Sequence, residues 1–252
     1  MQRFLSLAGL WLGLTLSGPA QAATKTVPLN PWQKLDIEGH LQVTLVHGDK
    51  SELVLTGERS VIDKVLVRQS GQKLEIRPAD RFQIPQQSLT ITIHTPQTPL
   101  AEIDVSEASQ LTVEWAKVAG LNGEFELELS EGSSFLAPLI ETAELDIEQS
   151  GASRLTIRQI KTEKAEIESS GSSNLTIGGQ ATKLKLTASG SSQLDMTKLN
   201  VGTVELQLSG ASRCQLGEVS SLKGRASGAS EITVKGQPAT DLKTSGAARI
   251  RS

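Results

Sequence analysis

Tyrosine is absent from the 252-residue chain, and aromatic residues of all kinds make up 3% of it. A core built around bulky rings is therefore excluded, and leucine, isoleucine, valine and alanine must fill the interior. Cysteine occurs once, at Cys214, so an internal disulfide is ruled out and an oxidising compartment is tolerated without being used for cross-linking. There are three histidines, His40, His47 and His94. His40 and His47 stand an odd number of residues apart along one apparent strand, which predicts opposite faces and no shared metal. No HExxH, CxxC, Walker or dinucleotide-binding pattern occurs. Basic residues are not concentrated either: 25 Lys and Arg are set against 28 Asp and Glu. Without a positive patch to neutralise phosphates, nucleic acid is excluded as a partner.

Long apolar runs are also missing, with one short exception. The chain opens "MQRFLSLAGLWLGLTLSGPAQA", a basic Arg3, an apolar run from Phe4 to Leu16, and Ala20-Gln21-Ala22 in the small-x-small pattern of a signal-peptidase site. Residues 1–22 are thus expected to be an export signal, too short to span a bilayer, and no later stretch approaches the roughly 20 apolar residues of a membrane helix. No cysteine lies just after the cleavage site to accept a lipid. The expected product is an exported chain with no transmembrane segment, periplasmic in the first instance, or secreted or surface-associated.

What the sequence does contain is a repeat. "SGASRLTI" begins at Ser150, "SGSSNLTI" at Ser170, "SGSSQLDM" at Ser189 and "SGASRCQL" at Ser209. Aligned on the same position, Ser106, Ser130, Ser150, Ser170, Ser189, Ser209, Ser227 and Ser245 are spaced 24, 20, 20, 19, 20, 18 and 18 residues apart. A period of this length marks a stacked-repeat architecture. Apolar residues alternate with polar ones on both sides of each serine, as in the column Leu111, Phe135, Leu155, Leu175, Leu194, Cys214, Ile232 and Ile250. Period-two alternation interrupted by a Ser-Gly turn predicts strand, turn, strand and a looser connector in each unit. Identical phrases in fixed order favour coils stacked in parallel over a ladder of hairpins. The fold class expected is all-β, a parallel β-solenoid or β-helix over residues 101–252 with coils of about 18–24 residues. Cys214 falls in an inward column and reads as a small buried hydrophobe. The glycine of each phrase supplies a backbone conformation that other residues enter at a cost, and no histidine or lysine recurs beside the serine to activate it. The phrase is a structural corner, not a nucleophile.

Residues 23–100 differ. "KLDIEG", "LQVTLVHG", "ELVLTG", "DKVLVRQSGQKLEIRP" and "SLTITIHT" are short alternating strands without a fixed period, and "RPADRFQIPQQ" from Arg77 reads as a loop. This irregular β region is expected to be either the first part of the stack or a cap over its open N-terminal edge.

Laid out in this way, the chain resembles the autotransporter-adhesin head GIN domain family of exported bacterial proteins. The likeness runs from about Trp32 to Ile250 and is carried by "LDIEGHLQVTLVHGD", "TITIHTPQTPLAEIDVSEAS", the repeated Ser-Gly-Ala/Ser-Ser corners and the closing "VKGQPATDLKTSGAARI". The family corner often reads Ser-Gly-x-Gly, whereas serine usually takes the last place here. Glu107 and Glu131 occupy the glycine position of the first two corners, which are therefore expected to differ in backbone shape. The resemblance implies a β-solenoid of undefined function and brings no catalytic residues with it.

The most informative polar feature is a pair of outward columns four and two residues before each serine. They read Glu102 and Asp104, Glu126 and Glu128, Asp146 and Glu148, Glu166 and Glu168, then switch to Lys185 and Thr187. Eight carboxylates on four successive coils predict an acidic stripe with like charges one strand apart, which is costly unless balanced by neighbouring Lys and Arg. The sharper expectation is a ligand site for calcium or a cationic partner, since hard cations take several converging oxygens. A second column, Gln110, Ser134, Arg154, Asn174, Gln193, Arg213, Glu231 and Arg249, offers amide, hydroxyl and guanidinium groups suited to glycans. The acid pairs follow the repeat, whereas an active site would break it. The function expected is a non-enzymatic binding or adhesion-type module of the bacterial cell envelope, its partner an envelope protein or a glycan. A polysaccharide lyase or hydrolase on the same scaffold, or a purely architectural component, is the alternative.

Overall fold

The computed structural model describes residues 22–79, 84–85, 88–96 and 99–251. The expected export signal lies outside the described residues apart from Ala22, as do six residues of the loop expected after Arg77.

Alternating apolar residues produce strands throughout. The first part of the chain forms β1 (Ala22–Pro28), β2 (Lys34–Ile37), β3 (Gln42–His47), β4 (Glu52–Glu58), a four-residue helical turn α1 (Arg59–Ile62), β5 (Val65–Ser70), β6 (Lys73–Pro78) and β7 (Leu89–Thr95). The repeats begin with β8 (Glu102–Val105), β9 (Gln110–Val113), β10 (Val118–Ala119), β11 (Glu124–Leu129), β12 (Ser134–Glu141) and β13 (Glu144–Gln149). They continue as β14 (Arg154–Ser169), β15 (Asn174–Ala188), β16 (Gln193–Leu208), β17 (Arg213–Ala226), β18 (Glu231–Lys235), β19 (Ala239–Thr244) and β20 (Arg249–Arg251). Among the described residues no helix is long and apolar enough to cross a membrane.

The strands stack in parallel as coils of a β-solenoid. Strands preceding the serine corner make one face, in the order β6, β2, β8, β11, β13, the later halves of β14 to β17, and β19. Strands following the corner make a second face, β7, β3, β9, β12, the earlier halves of β14 to β17, β18 and β20. The looser connector expected between coils is regular in the middle of the stack. There β14 to β17 run 14 to 16 residues without a break and bend to form a third side, where Lys161, Gln180 and Asn200 are in register. The bends are absorbed as register shifts, and Ile160 and Leu199 are buried beyond them, so this side buries side chains as the others do.

Pairing also runs across residue 100, since β2 and β3 lie against β8 and β9. Chain order and spatial order differ here. The coil made by β2 and β3 is sandwiched between the later coil of β6 and β7 and that of β8 and β9. Beyond β6 and β7 the pairing turns antiparallel: β5 runs against β6, β4 against β7, and β1 against β4. These antiparallel strands finish the N-terminal end of the sheet and leave no run of parallel coils exposed there. The "AATKTVP" of β1 is a strand that periodicity does not announce, because none of its residues is fully buried; the ladder to β4 holds it, with Ala23 and Val27 packed against the core.

Inside, the columns meet as the repeat requires. Leu111, Phe135, Leu155, Leu175, Leu194, Cys214, Ile232 and Ile250 are successive register partners. All but the last are buried. Each fully buried aliphatic side chain contributes about 1.5–3 kcal/mol relative to exposure, which is how a chain so poor in aromatics maintains a core. Burial pushes the Cys214 thiol up to about 12, so it is protonated and packs as a hydrophobe.

The corners are where the sequence phrase acts. In Ser153, Ser192, Ser212 and Ser230 the buried hydroxyl donates to the carbonyl of the serine three residues earlier, at 2.8–2.9 Å, which holds the turn together from inside. The first corners do differ in shape. Gly39 and His40, Glu107 and Ala108, and Glu131 and Gly132 are consecutive left-handed pairs, and Ser109 and Ser133 close their turns through backbone bonds to Ser106 and Ser130. His40 is thus a corner residue at φ 61°, and the expectation that it shares a strand with His47 is corrected. A coil lacking the Ser-Gly phrase reaches the same bend through Gly39 and His40.

Candidate functional site

On the first face residues alternate inward and outward along parallel strands. Outward positions in register therefore lie one strand apart, about 4.8 Å. The structure brings all eight sequence-predicted carboxylates together. Glu102, Glu126, Asp146 and Glu166 form one column, and Asp104, Glu128, Glu148 and Glu168 form its neighbour. Sequence reasoning missed the upward continuation. Asp36 and Glu75 extend the second column to six carboxylates, while Lys34 and Lys73 cap the first. The signal was present as the shared phrase Lys-Leu-acid-Ile in "KLDI" and "KLEI", but without a period nothing fixed its register.

Charge balance is confined to the edges. Lys34 pairs with Glu102, Lys73 with Asp36 at 2.7 Å, Lys164 with Glu144 at 3.4 Å, and Lys185 with Glu166. Neither Lys164 nor Lys161 balances the eight: Glu144 lies outside the two columns, and Lys161 pairs with Glu141 on the third side at 3.1 Å. Among the described residues no cation pairs with Glu126, Glu128, Asp146, Glu148, Asp104 or Glu168. Partial burial, followed by the neighbouring Glu102, Glu128 and Glu148 charges, raises the Glu126 carboxyl above its ordinary range. Burial likewise raises Glu128, then Asp104 and Glu148 add to it. Asp146 rises through burial and Glu166, and Asp104 through burial and Asp36.

These shifts fix the sign of a pH effect. A carboxyl whose folded pKa is raised binds more protons in the folded state, so it destabilises the fold once ionised and ceases to do so on protonation. Stability is therefore expected to rise as pH falls from neutrality to about pH 5, through the window just above the ordinary carboxylate range. The trend reverses at lower pH, where Glu141, held low by its bonds to Lys117 and Lys161, loses its charge. The double change Glu126→Gln and Asp146→Asn should raise the neutral-pH stability by on the order of 1 kcal/mol and flatten the rise, as read from thermal melts across that range.

Among the described residues no three His, Cys, Asp or Glu side chains converge on a point that would hold a metal ion. The eight carboxylates stand on the outward side of the sheet, while Asp36 above them is buried. Such a surface presents negative charge as a lattice with strand spacing, suited to a partner whose positive charges are spread out.

The second candidate column is also in register: Gln110, Ser134, Arg154, Asn174, Gln193, Arg213, Glu231 and Arg249, with Gln42 added above. At its lower end Glu231 takes up Arg213 at 3.3 Å and Arg251 at 3.0 Å, so little of that charge is free.

Comparison with known proteins fits this architecture. The sequence profile of the family described as "Putative auto-transporter adhesin, head GIN domain" matches residues 31–238. The chain belongs to that family. Solved structures similar to this head GIN protein include a "putative adhesin" of Parabacteroides merdae at TM-score 0.81 and 17% identity, covering 93% of this chain and 97% of that one. A "putative lipid binding protein" of Parabacteroides distasonis gives TM-score 0.83 at 14% identity, again covering 93% and 97%. A "putative adhesin" of Bacteroides fragilis gives 0.67 at 17%, covering 92% and 96%. At such identities the likeness establishes the fold and not the ligand. No curated protein matches the sequence significantly.

Proposed function

We propose that this head GIN protein is an exported, non-enzymatic adhesion-type module of the bacterial cell envelope, located in the periplasm or at the surface, which binds a cationic partner through its acidic face. The observation that carries the reading is the double column of carboxylates left unpaired at the centre of a parallel sheet. Like charges held one strand apart cost stability, and a partner with amines or guanidinium groups spread at that spacing relieves the cost on binding. Membership of a family described as adhesins, together with relatives named in the same way, supports the class of function. The regularity of the face speaks for binding over turnover, since every carboxylate repeats the one above it. Calcium enters this reading as a bridge between the face and a second anion, because no cage for a single ion exists among the described residues.

Polylysine immobilised on a sensor surface tests the reading directly. The protein should bind with an affinity that falls steeply with salt, and Glu126→Gln, Glu128→Gln, Asp146→Asn and Glu148→Gln combined should weaken it at least tenfold. Equal binding by that variant would overturn the acidic face as the site. Release of reducing ends from any polysaccharide would overturn the non-enzymatic reading.

A further inference from the structure

On the third side of the solenoid a groove of about 1130 Å³ runs across the strands, from the β12 coil to the end of β18. It lies on a different side of the solenoid from the acidic columns and follows from the regular bends of β14 to β17. Over this length five strand steps cover roughly 24 Å. We propose that the groove binds an uncharged linear glycan lying parallel to the solenoid axis, about one sugar per coil.

The floor and walls carry the argument. In the middle three coils the floor is aliphatic, made by Ala181, Val201 and Val219, each buried below the groove rims. In the coils above, Thr142 and Thr162 occupy the same place but turn their hydroxyls to backbone carbonyls, so they offer the groove little polarity. The walls beside the aliphatic floor are exposed amides and hydroxyls, Gln180 and Asn200 on one side and Thr182 and Ser220 on the other, with Glu218 continuing the first row beside Val219. Among the described residues none of the four amide and hydroxyl side chains has a hydrogen-bond partner. Gly202 keeps one wall low, where a Cβ would meet the Thr182 carbonyl at 2.7 Å. An apolar strip between rows of hydrogen-bonding groups matches a pyranose chain, which shows C–H faces and hydroxyl edges.

Charge selects a neutral chain. Lys161 at the upper end is paired with Glu141, and Lys235 at the lower end with Glu218 at 3.6 Å. Glu163 stands on the upper rim, outside the neutral centre. An anionic polymer finds no free cation along the middle, and a cationic one finds no free carboxylate there. Geometry selects against a peptide. Strand addition needs an unpaired edge, but the groove crosses β14, β15 and β16, whose backbones are paired on both sides. An acyl chain would have its length exposed, since the polar walls do not close over the floor. The strand step is also close to the advance per residue of an extended 1,4-linked pyranose chain, so each coil's amide or hydroxyl meets an equivalent hydroxyl.

Isothermal titration of the purified protein with cellohexaose, mannohexaose and chitohexaose tests the proposal. At least one should bind with an affinity that is independent of salt and grows with chain length from the disaccharide upward. Gln180→Ala with Asn200→Ala, both exposed positions whose loss leaves the fold intact by melting temperature, should weaken binding at least tenfold. Ser220→Trp, which blocks the groove from its rim, should abolish it. Neutralising Glu126 and Glu128 on the other face should leave it unchanged, which separates this site from the acidic one. Absence of heat with all three hexasaccharides, binding that salt removes, or binding indifferent to both groove variants would overturn the proposal.

Discussion

Truncating Phe135 to alanine is expected to lower the unfolding free energy by about 4 kcal/mol, near the upper part of the range for a buried ring. Phe135 is 2% exposed and stands in register between Leu111 and Leu155. It lies where the upper coils, with their double left-handed corners, meet the regular Ser-Gly coils below. In a stacked repeat each coil is stabilised by its two neighbours, so a cavity at this level removes contacts above and below at once. The rest of the column cannot slide in to fill it, because both neighbours are fixed by backbone ladders. Urea unfolding should show the midpoint falling with little change in slope. Phe135→Leu, which keeps most of the volume, should cost only about 1 kcal/mol. A loss below 1 kcal/mol for the alanine variant would mean that these residues do not stack as an interior column.

The two halves of the molecule were unequally legible, and the reason is physical. From Ser106 onward each coil repeats the same requirement, an inward residue every second position and a bend at fixed phase, so register follows from alignment alone. The columns through Leu155, Leu175 and Leu194 meet in that register. Before residue 100 the individual strands "KLDI", "LQVTLVH" and "LTITIHT" could be read from their alternation, but not their order in space. "KLDI" and "KLEI" satisfy the same columns equally well, and only the antiparallel excursions of β4 and β5 decide which coil lies outermost.

The candidate site divides along the same line. The eight carboxylates were visible because they repeat with the serines, whereas Asp36 and Glu75 were hidden by the missing period. The third side was read as a connector, since Gly178, Gly179 and Gly217 at its bends break the alternation that marks a strand. Its groove depends on where those bends put Gln180 and Asn200, a matter of backbone path that no spacing of residue types encodes. His40 was misplaced for a related reason: "EGHLQV" looks like continuous alternation, and the left-handed pair at Gly39 and His40 leaves no trace in hydrophobicity.

The second large effect is expected at a corner. Gly210 has φ 71°, and a Cβ built on it would lie 2.5 Å from the Gly190 carbonyl oxygen one coil above. That oxygen is fixed, since it accepts the Ala211 N–H at 2.8 Å, and the Gly210 carbonyl accepts the Ala229 N–H of the next coil at 2.8 Å. Gly210→Ala therefore meets two costs, a left-handed backbone of about 1–2 kcal/mol and a clash with backbone that cannot move without breaking the corner ladder. Together they should lower stability by about 3 kcal/mol. Gly71→Ala separates the two. Gly71 has φ 57° with nothing within 4 Å of its added Cβ, so only the conformational cost, about 1 kcal/mol, should appear. Equal losses at the two positions by denaturant unfolding would show that handedness alone matters and that the corners are not in contact. A larger loss at Gly210 places the glycine requirement in the stacking itself, and explains why the phrase recurs with glycine wherever one Ser-Gly corner sits on another.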